Sequence, residues 1–394
     1  MAERKGDLAA NLPRLAAWNA LQMVLFPVAI ITLYQEDQIG RDMGDILLLQ
    51  GIFGLAMALL EFPSGYIADR IGYRRSLLAA SVFSILGWTI YLFAQSFAGL
   101  LAAELVLGVS MALISGCDSA LLYESLVETD QEHEFTRWTG RIRFAGQSAE
   151  GTAALFAGVL YMISPKLPFL LQLPIWAANA AVAWGLQEPA RHIATDKNHL
   201  RHMVAITRRA LVEKADLRAV IALTVTLGLT SFIPVWIIPL YAVDAGLPIG
   251  WIGPMWAAAN YVVALTALAS DRADRRLGTP NLALFGIFLV VIGYAGLANI
   301  TAWWGFVFYF ALTAIRGLVG PALLHREQRL IPSSDRAAFL SLSSLIFRLS
   351  FLVLGPVIGV AIDEIGFHAT LGATGVFLVC ACALSWWKAR PALS

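Results

Sequence analysis

The sequence predicts an all-α membrane protein of twelve transmembrane helices in two six-helix halves, with both termini in the cytosol. The prediction rests on long uncharged segments, an asymmetric placement of Lys and Arg, and landmarks that recur in the second half. Of 394 residues, 58% are hydrophobic and 14% are charged, whereas soluble domains are nearer half apolar and a quarter charged. No charge occurs from Ser76 to Ala103 or from Leu277 to Ile315, and a helix of roughly 20 apolar residues crosses a bilayer.

The longest polar segment, Gln187 to Asp216, separates six apolar spans from six more. We therefore expect an N-terminal bundle over 1–187, a basic cytosolic linker over 188–215 and a C-terminal bundle over 216–394. The linker pattern predicts a short surface helix, and its histidines are interpreted as solvated rather than metal-binding. The predicted spans are 14–34, 44–65, 76–96, 98–123, 141–164, 168–187, 217–242, 250–270, 281–300, 303–325, 338–362 and 368–387.

Lys and Arg are concentrated at one set of span ends, which gives the predicted orientation. With the N-terminus in the cytosol, the outer loops carry only Arg41 and Lys166, whereas each inner segment, together with the span ends beside it, carries at least two basic residues. The even number of spans then places both termini inside. We expect a multi-pass protein of a cell membrane, the inner membrane in a bacterium.

Several functional classes are disfavoured by composition and motifs. The net charge of +1 provides no bulk attraction to nucleic acid. The sequence has no P-loop, no HExxH motif and no nucleophile with a plausibly placed His, so we expect neither an enzyme nor a cofactor. Cys117, Cys380 and Cys382 fall in apolar spans, where packing is a better interpretation than a metal site or a disulfide.

Landmarks of the first half recur about 202 residues later, which indicates two halves with the same order of helices. Asp69-Arg70 follows span two, and Asp271-Arg272 follows span eight. The tripeptide Ala120-Leu121-Leu122 ends span four, and Ala-Leu-Leu ends span ten at the same separation. Parallel repeats of this kind are found in transporters whose site lies where the repeats meet.

The charged segment between spans two and three has a recognisable pattern, Gly65-x-x-x-Asp69-Arg70-x-Gly72-x-Arg74-Arg75. It resembles the corresponding loop of the major facilitator superfamily, in the branch that includes drug exporters, with Tyr73 where that family usually has a basic residue. The resemblance implies a secondary transporter of small molecules that works by alternating access, is coupled to protons and is a monomer in the lipid bilayer.

The same segment predicts a conformational latch at the cytosolic ends of the helices. Gly65 permits close helix approach, and Asp69 can lie at a helix N-terminus, for which we expect that of span eleven. Arg70, Arg74 and Arg75 can pair with an acid at the end of span four, and Glu124 is the nearest. The alternative is a plain positive-inside loop. The predicted latch residues are Gly65, Asp69, Arg70, Gly72, Arg74, Arg75, Glu124, Asp271 and Arg272.

Ionisable residues within the spans are costly and usually functional. Acids occur in the first half and bases in the second. Burial favours the neutral form of a carboxyl and a nearby Arg favours the charged form, so a conformational change that moved the Arg would load and release a proton. The residues assigned to substrate or proton coupling are Glu150, Arg316, Arg348, Glu104, Asp118, Glu61, Asn19, Gln22, Gln147 and Trp236.

Alternatives remain for several of these residues. Glu150 and Arg316 lie far from helix ends, whereas Glu61 can be a structural partner of Arg348 or of the loop. Asp118 lies on the same predicted helix face as Glu104, Gly108, Met111 and Ser115, and its interpretation is a latch or gate. Glu104 stands four residues before Gly108, where drug exporters usually have an Arg, so their proton-coupling motif is altered.

The sequence leaves three functions open. The leading hypothesis is proton-coupled export of a small amphipathic or anionic molecule. The second is uptake of an anionic nutrient held by Arg316 and Arg348. The third is a membrane receptor or scaffold that does not transport.

Overall fold

The computed structural model describes residues 8–189, 214–331 and 336–393, without the side chains of 62–67, 69 and 336–338. All regular secondary structure in these ranges is helical. The first range contains α1 (Asn11–Met23), α2 (Ile31–Ile39), α3 (Met43–Ile71), α4 (Tyr73–Phe93), α5 (Phe97–Ile114), α6 (Cys117–Glu128), α7 (Phe135–Ile163) and α8 (Leu167–Trp184). The others contain α9 (Ala215–Asp244), α10 (Ile252–Leu277), α11 (Thr279–Asn299), α12 (Tyr309–Leu318), α13 (Gly320–Arg329) and α14 (Arg336–Leu393).

Nine helical segments within the described ranges are long and apolar enough to cross a membrane. The sequence predicts twelve, and three features separate the two numbers. Predicted span one consists of two short helices, α1 and α2, and predicted span five carries Gln147 and Glu150 within its apolar part. Predicted spans eleven and twelve form the single long α14, which leaves helical geometry only at Gly366, where φ is 81°. The number of spans and the cytosolic position of the termini stay predictions.

Two predicted spans are interrupted where the backbone cannot continue as a helix. Span one breaks between Met23 and Ile31, around Pro27, which has no N–H to donate to the preceding turn. Span four breaks at Gly116, which has a φ of 80°, a left-handed conformation that glycine adopts without strain. By contrast, α9 continues through Pro234 and Pro239.

The helices form two compact units, each with its own core. The first contains the described parts of 1–41 and 52–195 together with 252–254. In it, α4 packs along α5 and α8, and α1 packs along α7. Close approach of α4 and α5 depends on Gly87, because a Cβ there would lie 2.7 Å from the Leu107 side chain. Trp18 and Trp176 are fully buried in this core.

The second unit contains 42–51, 255–393 and the described part of 196–251. In it, α9 and α11 each pack along α14. The start of α3 also belongs to this unit: the backbone N–H groups of Met43 and Gly44 each donate to the Asp363 carboxylate at 2.9 Å. Gly359 lets these helices meet, since a Cβ on it would lie 2.6 Å from the Gly44 Cα.

The predicted linker helix lies outside the described residues, whereas much of the predicted latch segment is helical. The linker helix and its histidines fall in 190–213, outside the described residues, and the domain boundaries stay predictions. The latch segment was expected in a loop, but Arg70 lies in the last turn of α3 and Asp271 and Arg272 lie inside α10, which continues to Leu277. The two helices continue to Ile71 and Leu277, and each ends at the glycine that follows, Gly72 or Gly278, whose backbone is not helical.

Candidate functional site

A polar cavity of about 500 Å³ lies in the first unit, where α1, α6 and α7 meet. Its volume is within the usual range of small-molecule sites. Three of the predicted coupling residues line it: Asn19, Asp118 and Gln147. The remaining lining residues are Leu15, Met23, Ser119, Leu122, Thr139, Ile142 and Arg143.

Asp118 reaches this cavity because the backbone changes direction at Gly116. The carboxylate lies in the first turn of α6 and accepts the Ser119 backbone N–H at 2.7 Å, an arrangement that the helix dipole favours. The prediction that Asp118 shares a continuous helix face with Glu104 is therefore wrong. Helical spacing ends with α5 at Ile114, so residues on either side of Gly116 belong to different helices.

Arg143 and Gln147 are one turn apart on α7, which places both side chains on one face. Arg143 makes no hydrogen bond or ion pair with any residue that the structure describes, and its charge acts on Asp118. A cation and an anion therefore face one cavity without forming a salt bridge. Arg143 is not among the coupling residues predicted from the sequence, although its spacing of one helical turn from Gln147 was the available signal.

Uncharged polar groups complete the lining. The Asn19 side chain packs directly against Gly146, where a Cβ would collide with the Asn19 amide oxygen. The Thr139 hydroxyl is buried and has no hydrogen-bond partner among the described residues. Because a buried polar group without a partner is unfavourable, this hydroxyl is available to a ligand.

Two coupling candidates of the first unit lie outside this cavity. Glu150 is half-buried and accepts a hydrogen bond from Gln147 at 3.2 Å. Gln22 is 6% exposed, and its carbonyl oxygen has no partner within the described ranges. Gln147 thus connects the cavity to Glu150, whereas Gln22 belongs to the core.

The two other acids of the first unit have separate surroundings. Glu104 is buried and accepts a hydrogen bond from the Tyr91 hydroxyl at 2.8 Å, and Gln35 in turn donates to the Tyr91 oxygen. Glu61 accepts a hydrogen bond from the Ser115 hydroxyl at 2.8 Å. The four predicted acids therefore do not form one cluster, and only Asp118 faces the cavity.

The coupling candidates of the second unit are also dispersed. Arg316 lies exposed in the last turn of α12, and Arg348 donates to the Ser344 hydroxyl one turn earlier on α14 at 3.3 Å. Trp236 belongs to an aromatic cluster around Phe232, whose ring centroid is 6.1 Å from that of Trp236 and 4.9 Å from that of Phe351. Trp236 therefore packs among aromatic rings.

Sequence reasoning missed a buried acid in the second unit. Glu327, near the end of α13, is 1% exposed, and one of its carboxyl oxygens has no partner in the described part of the chain. The Thr224 hydroxyl of α9 faces this carboxyl, outside the geometry of a normal hydrogen bond. The neighbouring basic residues Arg326 and Arg329 made this stretch resemble a solvated loop.

A second missed acid contacts the predicted latch segment. The Glu188 carboxylate accepts the backbone N–H groups of Tyr73 and Arg74, each at 2.9 Å, and so caps the start of α4. The Arg74 guanidinium lies 5.2 Å from the centre of the Trp184 ring. Pairing of these arginines with Glu124 stays a prediction, and the surroundings of Gly65 and the side chain of Asp69 lie outside the described part of the chain. In the second unit Asp271 pairs with Arg275 at 2.6 Å.

A sequence profile of the Major Facilitator Superfamily matches residues 15–332. The chain belongs to the major facilitator superfamily. The match is to the superfamily as a whole, and membership of the drug-exporter branch stays a prediction.

Two curated relatives align with part of the chain. An uncharacterised transporter of this type from Bacillus subtilis (strain 168), YxaM, is 29% identical over 175 residues, which are 41% of this chain and 39% of the relative. A probable vesicular acetylcholine transporter-B from Danio rerio is 27% identical over 179 residues, 43% of this chain and 35% of that protein. The alignments thus span less than half of either relative.

Solved structures of the superfamily match almost the entire chain. The nucleoside transporter NupG has a TM-score of 0.80 at 12% identity, covering 96% of this chain and 98% of that one. The D-xylose-proton symporter has a TM-score of 0.74 at 12% identity, covering 100% and 98%. At such low identity the likeness shows the fold. Family and fold together identify a multi-pass membrane protein of a transporter superfamily and indicate a transporter rather than an enzyme.

Proposed function

We propose that this chain is a secondary active transporter that exports a small amphipathic or anionic molecule by alternating access, coupled to protons. The cavity lined by Asp118 and Arg143 supports the proposal most directly. A cavity with two opposite charges and an unsatisfied hydroxyl is suited to binding a polar solute, and the family is one of transporters. In this proposal the cavity is part of the substrate path.

Two acids of the first unit, Glu104 and Glu150, are the proposed proton carriers. Glu104 is 3% exposed and is held by a neutral hydroxyl, a setting in which the charged form of a carboxyl is poorly solvated. Glu150 is joined to the cavity through Gln147, so its protonation can respond to the bound solute. Arg316 and Arg348 remain proposed partners of the coupling, as expected from the sequence.

The test is transport in proteoliposomes with an imposed pH gradient. We expect solute-dependent proton movement that Asp118→Asn and Arg143→Gln reduce by about tenfold or more, because each removes a charged contact. Matched controls are Asp130→Asn, at a left-handed position that Asn tolerates, and Arg137→Gln, whose ion pair with Glu134 is largely exposed. Unchanged flux in both cavity variants would overturn the role of this cavity.

Proton coupling is tested separately with Glu104→Gln and Glu150→Gln. In the proposal, at least one of them still binds solute but no longer moves protons against a gradient. If both variants retained coupled flux, these two carboxyls would not be the carriers.

A second candidate is uptake of an anion, favoured by Arg316, which makes no hydrogen bond or ion pair within the described ranges. Right-side-out and inverted vesicles distinguish the two directions. Arg316→Gln should abolish accumulation of an anionic solute if uptake is the function.

A further inference from the structure

We propose that the cavity of the first unit recognises a zwitterion, whose anionic group binds Arg143 and whose ammonium group binds Asp118. The inference rests on the proposed transport function and specifies the substrate class. Two opposite charges line the same cavity, yet they lie too far apart for a salt bridge. A ligand with one charge of each sign can satisfy both at once.

The partners that each charged group already has support this assignment. One oxygen of Asp118 accepts from the Ser119 N–H at 2.7 Å, and from the Ser119 hydroxyl at 3.4 Å, while its second oxygen accepts no hydrogen bond from another described residue. The Arg143 guanidinium likewise makes no hydrogen bond within the described ranges. Its planar fork can therefore bind a carboxylate through two parallel hydrogen bonds.

Accessibility and the neutral lining agree with a bound solute. Arg143 is exposed and Asp118 is half-buried, so both can be reached from the cavity. The Thr139 hydroxyl lacks a partner in the described part of the chain and can donate to the anionic group or accept from the ammonium. A ligand that carried only one charge would leave the opposite charge of the cavity without a counterpart, which is unfavourable in a partly desolvated site.

The apolar part of the lining determines the rest of the ligand. Leu15, Leu122 and Ile142 come from the three helices that also carry the polar groups. Each of these helices therefore contributes both apolar and polar side chains to the lining. A volume of about 500 Å³ accommodates more than the two charged groups. We therefore expect a small amphipathic zwitterion, with an apolar body against these side chains, such as an amino acid with an apolar side chain.

The experiment measures binding to the full-length protein in lipid nanodiscs. The probes are leucine, methionine and phenylalanine, each compared with its C-terminal amide, which lacks the anion, and its N-acetyl derivative, which lacks the cation. We expect at least one of the free amino acids to bind about ten- to a hundredfold more tightly than either derivative, since each lost contact is a charged hydrogen bond.

The variants assign each charge to its partner. Arg143→Gln should remove the preference for the amino acid over its amide and keep the preference over the N-acetyl form, and Asp118→Asn should do the reverse. Arg143→Lys and Asp118→Glu keep the charges and should keep both preferences, even if affinity falls. Arg137→Gln and Asp130→Asn, outside the cavity, should behave like the unmodified protein.

Three results would overturn the inference: no binding of any free amino acid in the set, equal binding of the singly charged derivatives, or preferences that survive both charge-removing variants. Transport of the same probes into proteoliposomes separates this inference from the proposed function. Binding of a zwitterion without translocation would overturn transport and leave the recognition intact. Translocation of a singly charged probe without any preference for the zwitterion would leave transport intact and overturn the recognition.

Discussion

Gly72 and Gly278 hold the same position in the two repeats, between the second and third helices of each half. Gly72 has φ and ψ of 106° and 150°, and Gly278 has 77° and 149°. Few residues other than glycine adopt this region of backbone conformation. The two units therefore make the same turn, and they differ in the side chains that complete it.

In the first unit a carboxylate completes the turn. Glu188 accepts the N–H groups of Tyr73 and Arg74 at the start of α4. In the second unit the residue 202 positions after Glu188 is Arg390, which has no acceptor to offer. The helix that follows Gly278 is α11, and its second residue is Pro280. Pro280 takes the place that Arg74 has in the first unit, and proline has no N–H that needs an acceptor.

The second unit thus lacks both a carboxylate acceptor like Glu188 and a backbone donor like the Arg74 N–H. The Thr279 hydroxyl donates to Asp274 at 2.8 Å, and the Trp386 indole N–H donates to the Pro280 carbonyl at 2.7 Å. Both turns satisfy their polar groups, as buried backbone requires. Only in the first turn does a carboxylate accept backbone N–H groups at the helix start; in the second turn the Asp274 carboxylate and the Arg326 guanidinium bond the Thr279 hydroxyl instead.

The largest expected effect is on the feature that the turns share. Gly72→Ala and Gly278→Ala should each lower the free energy of unfolding by about 1–3 kcal/mol, because alanine is strained at these dihedral angles. Denaturant titration in mixed micelles measures the change. Gly140→Ala is the control: a Cβ there has nothing within 4 Å, and alanine inside a helix should add about 0.5–1 kcal/mol. A neutral result at either turn would contradict the common backbone geometry.

The next effect should appear in the first unit alone. Glu188→Ala removes two charge-assisted hydrogen bonds, and we expect a loss of about 2 kcal/mol in the free energy of unfolding. Glu188→Gln keeps one acceptor oxygen, so its free energy of unfolding should lie between that of the unmodified protein and that of Glu188→Ala. Glu132→Ala is the control, since that carboxylate bonds only the exposed Tyr123 hydroxyl among the described residues and should change stability by less than about 0.5 kcal/mol. If Glu188→Ala and Glu132→Ala lowered the free energy of unfolding equally, Glu188 would not be a structural cap.

Local sequence patterns predicted the repeat and the paired positions of the turns, but not their side-chain partners. The turn glycine of the first unit could be chosen because it lies in a recognisable segment. Its carboxylate partner, Glu188, lies 115 residues from Tyr73, and such a long-range pair leaves no local signal. Glu124 was chosen instead because it lies at the end of a span on the same predicted side.

The candidate site was predictable in part for similar reasons. Asn19, Asp118 and Gln147 were found because polar residues in apolar spans are conspicuous, and all three line the cavity. The break that positions Asp118 was missed, because a single glycine inside an apolar span does not by itself predict a break, and only its φ of 80° reveals the interruption. Arg143 was left out of the site because a basic residue near an inner span end is also typical of the positive-inside pattern.

A smaller effect tests whether the two turns can exchange their chemistry. Arg74→Pro gives the first turn the residue that the second one has, and it removes a donor that Glu188 accepts. We expect Arg74→Pro to destabilise the unmodified protein more than it destabilises the Glu188→Ala variant, with a coupling of about 1 kcal/mol in a double-mutant cycle. Loss of the Arg74 contact with Trp184 is common to both backgrounds and cancels. Strict additivity would mean that the Arg74 N–H and Glu188 do not act as a pair.

The smallest expected effect concerns the two tryptophans that stand 202 residues apart beside the turns. Trp386→Phe keeps the ring but removes the hydrogen bond to the Pro280 carbonyl, so it should lower the free energy of unfolding by about 1 kcal/mol. Trp184→Phe keeps an aromatic face for Arg74 at a position that is 69% exposed, so its effect should be less than about 0.5 kcal/mol. The difference follows from what each indole does: the Trp386 N–H donates to a backbone carbonyl at the start of α11, whereas the Trp184 ring only lies beside the Arg74 guanidinium. If the two substitutions had the same effect, the second turn would not depend on its neutral hydrogen bond, and the contrast between the repeats would reduce to Glu188 alone.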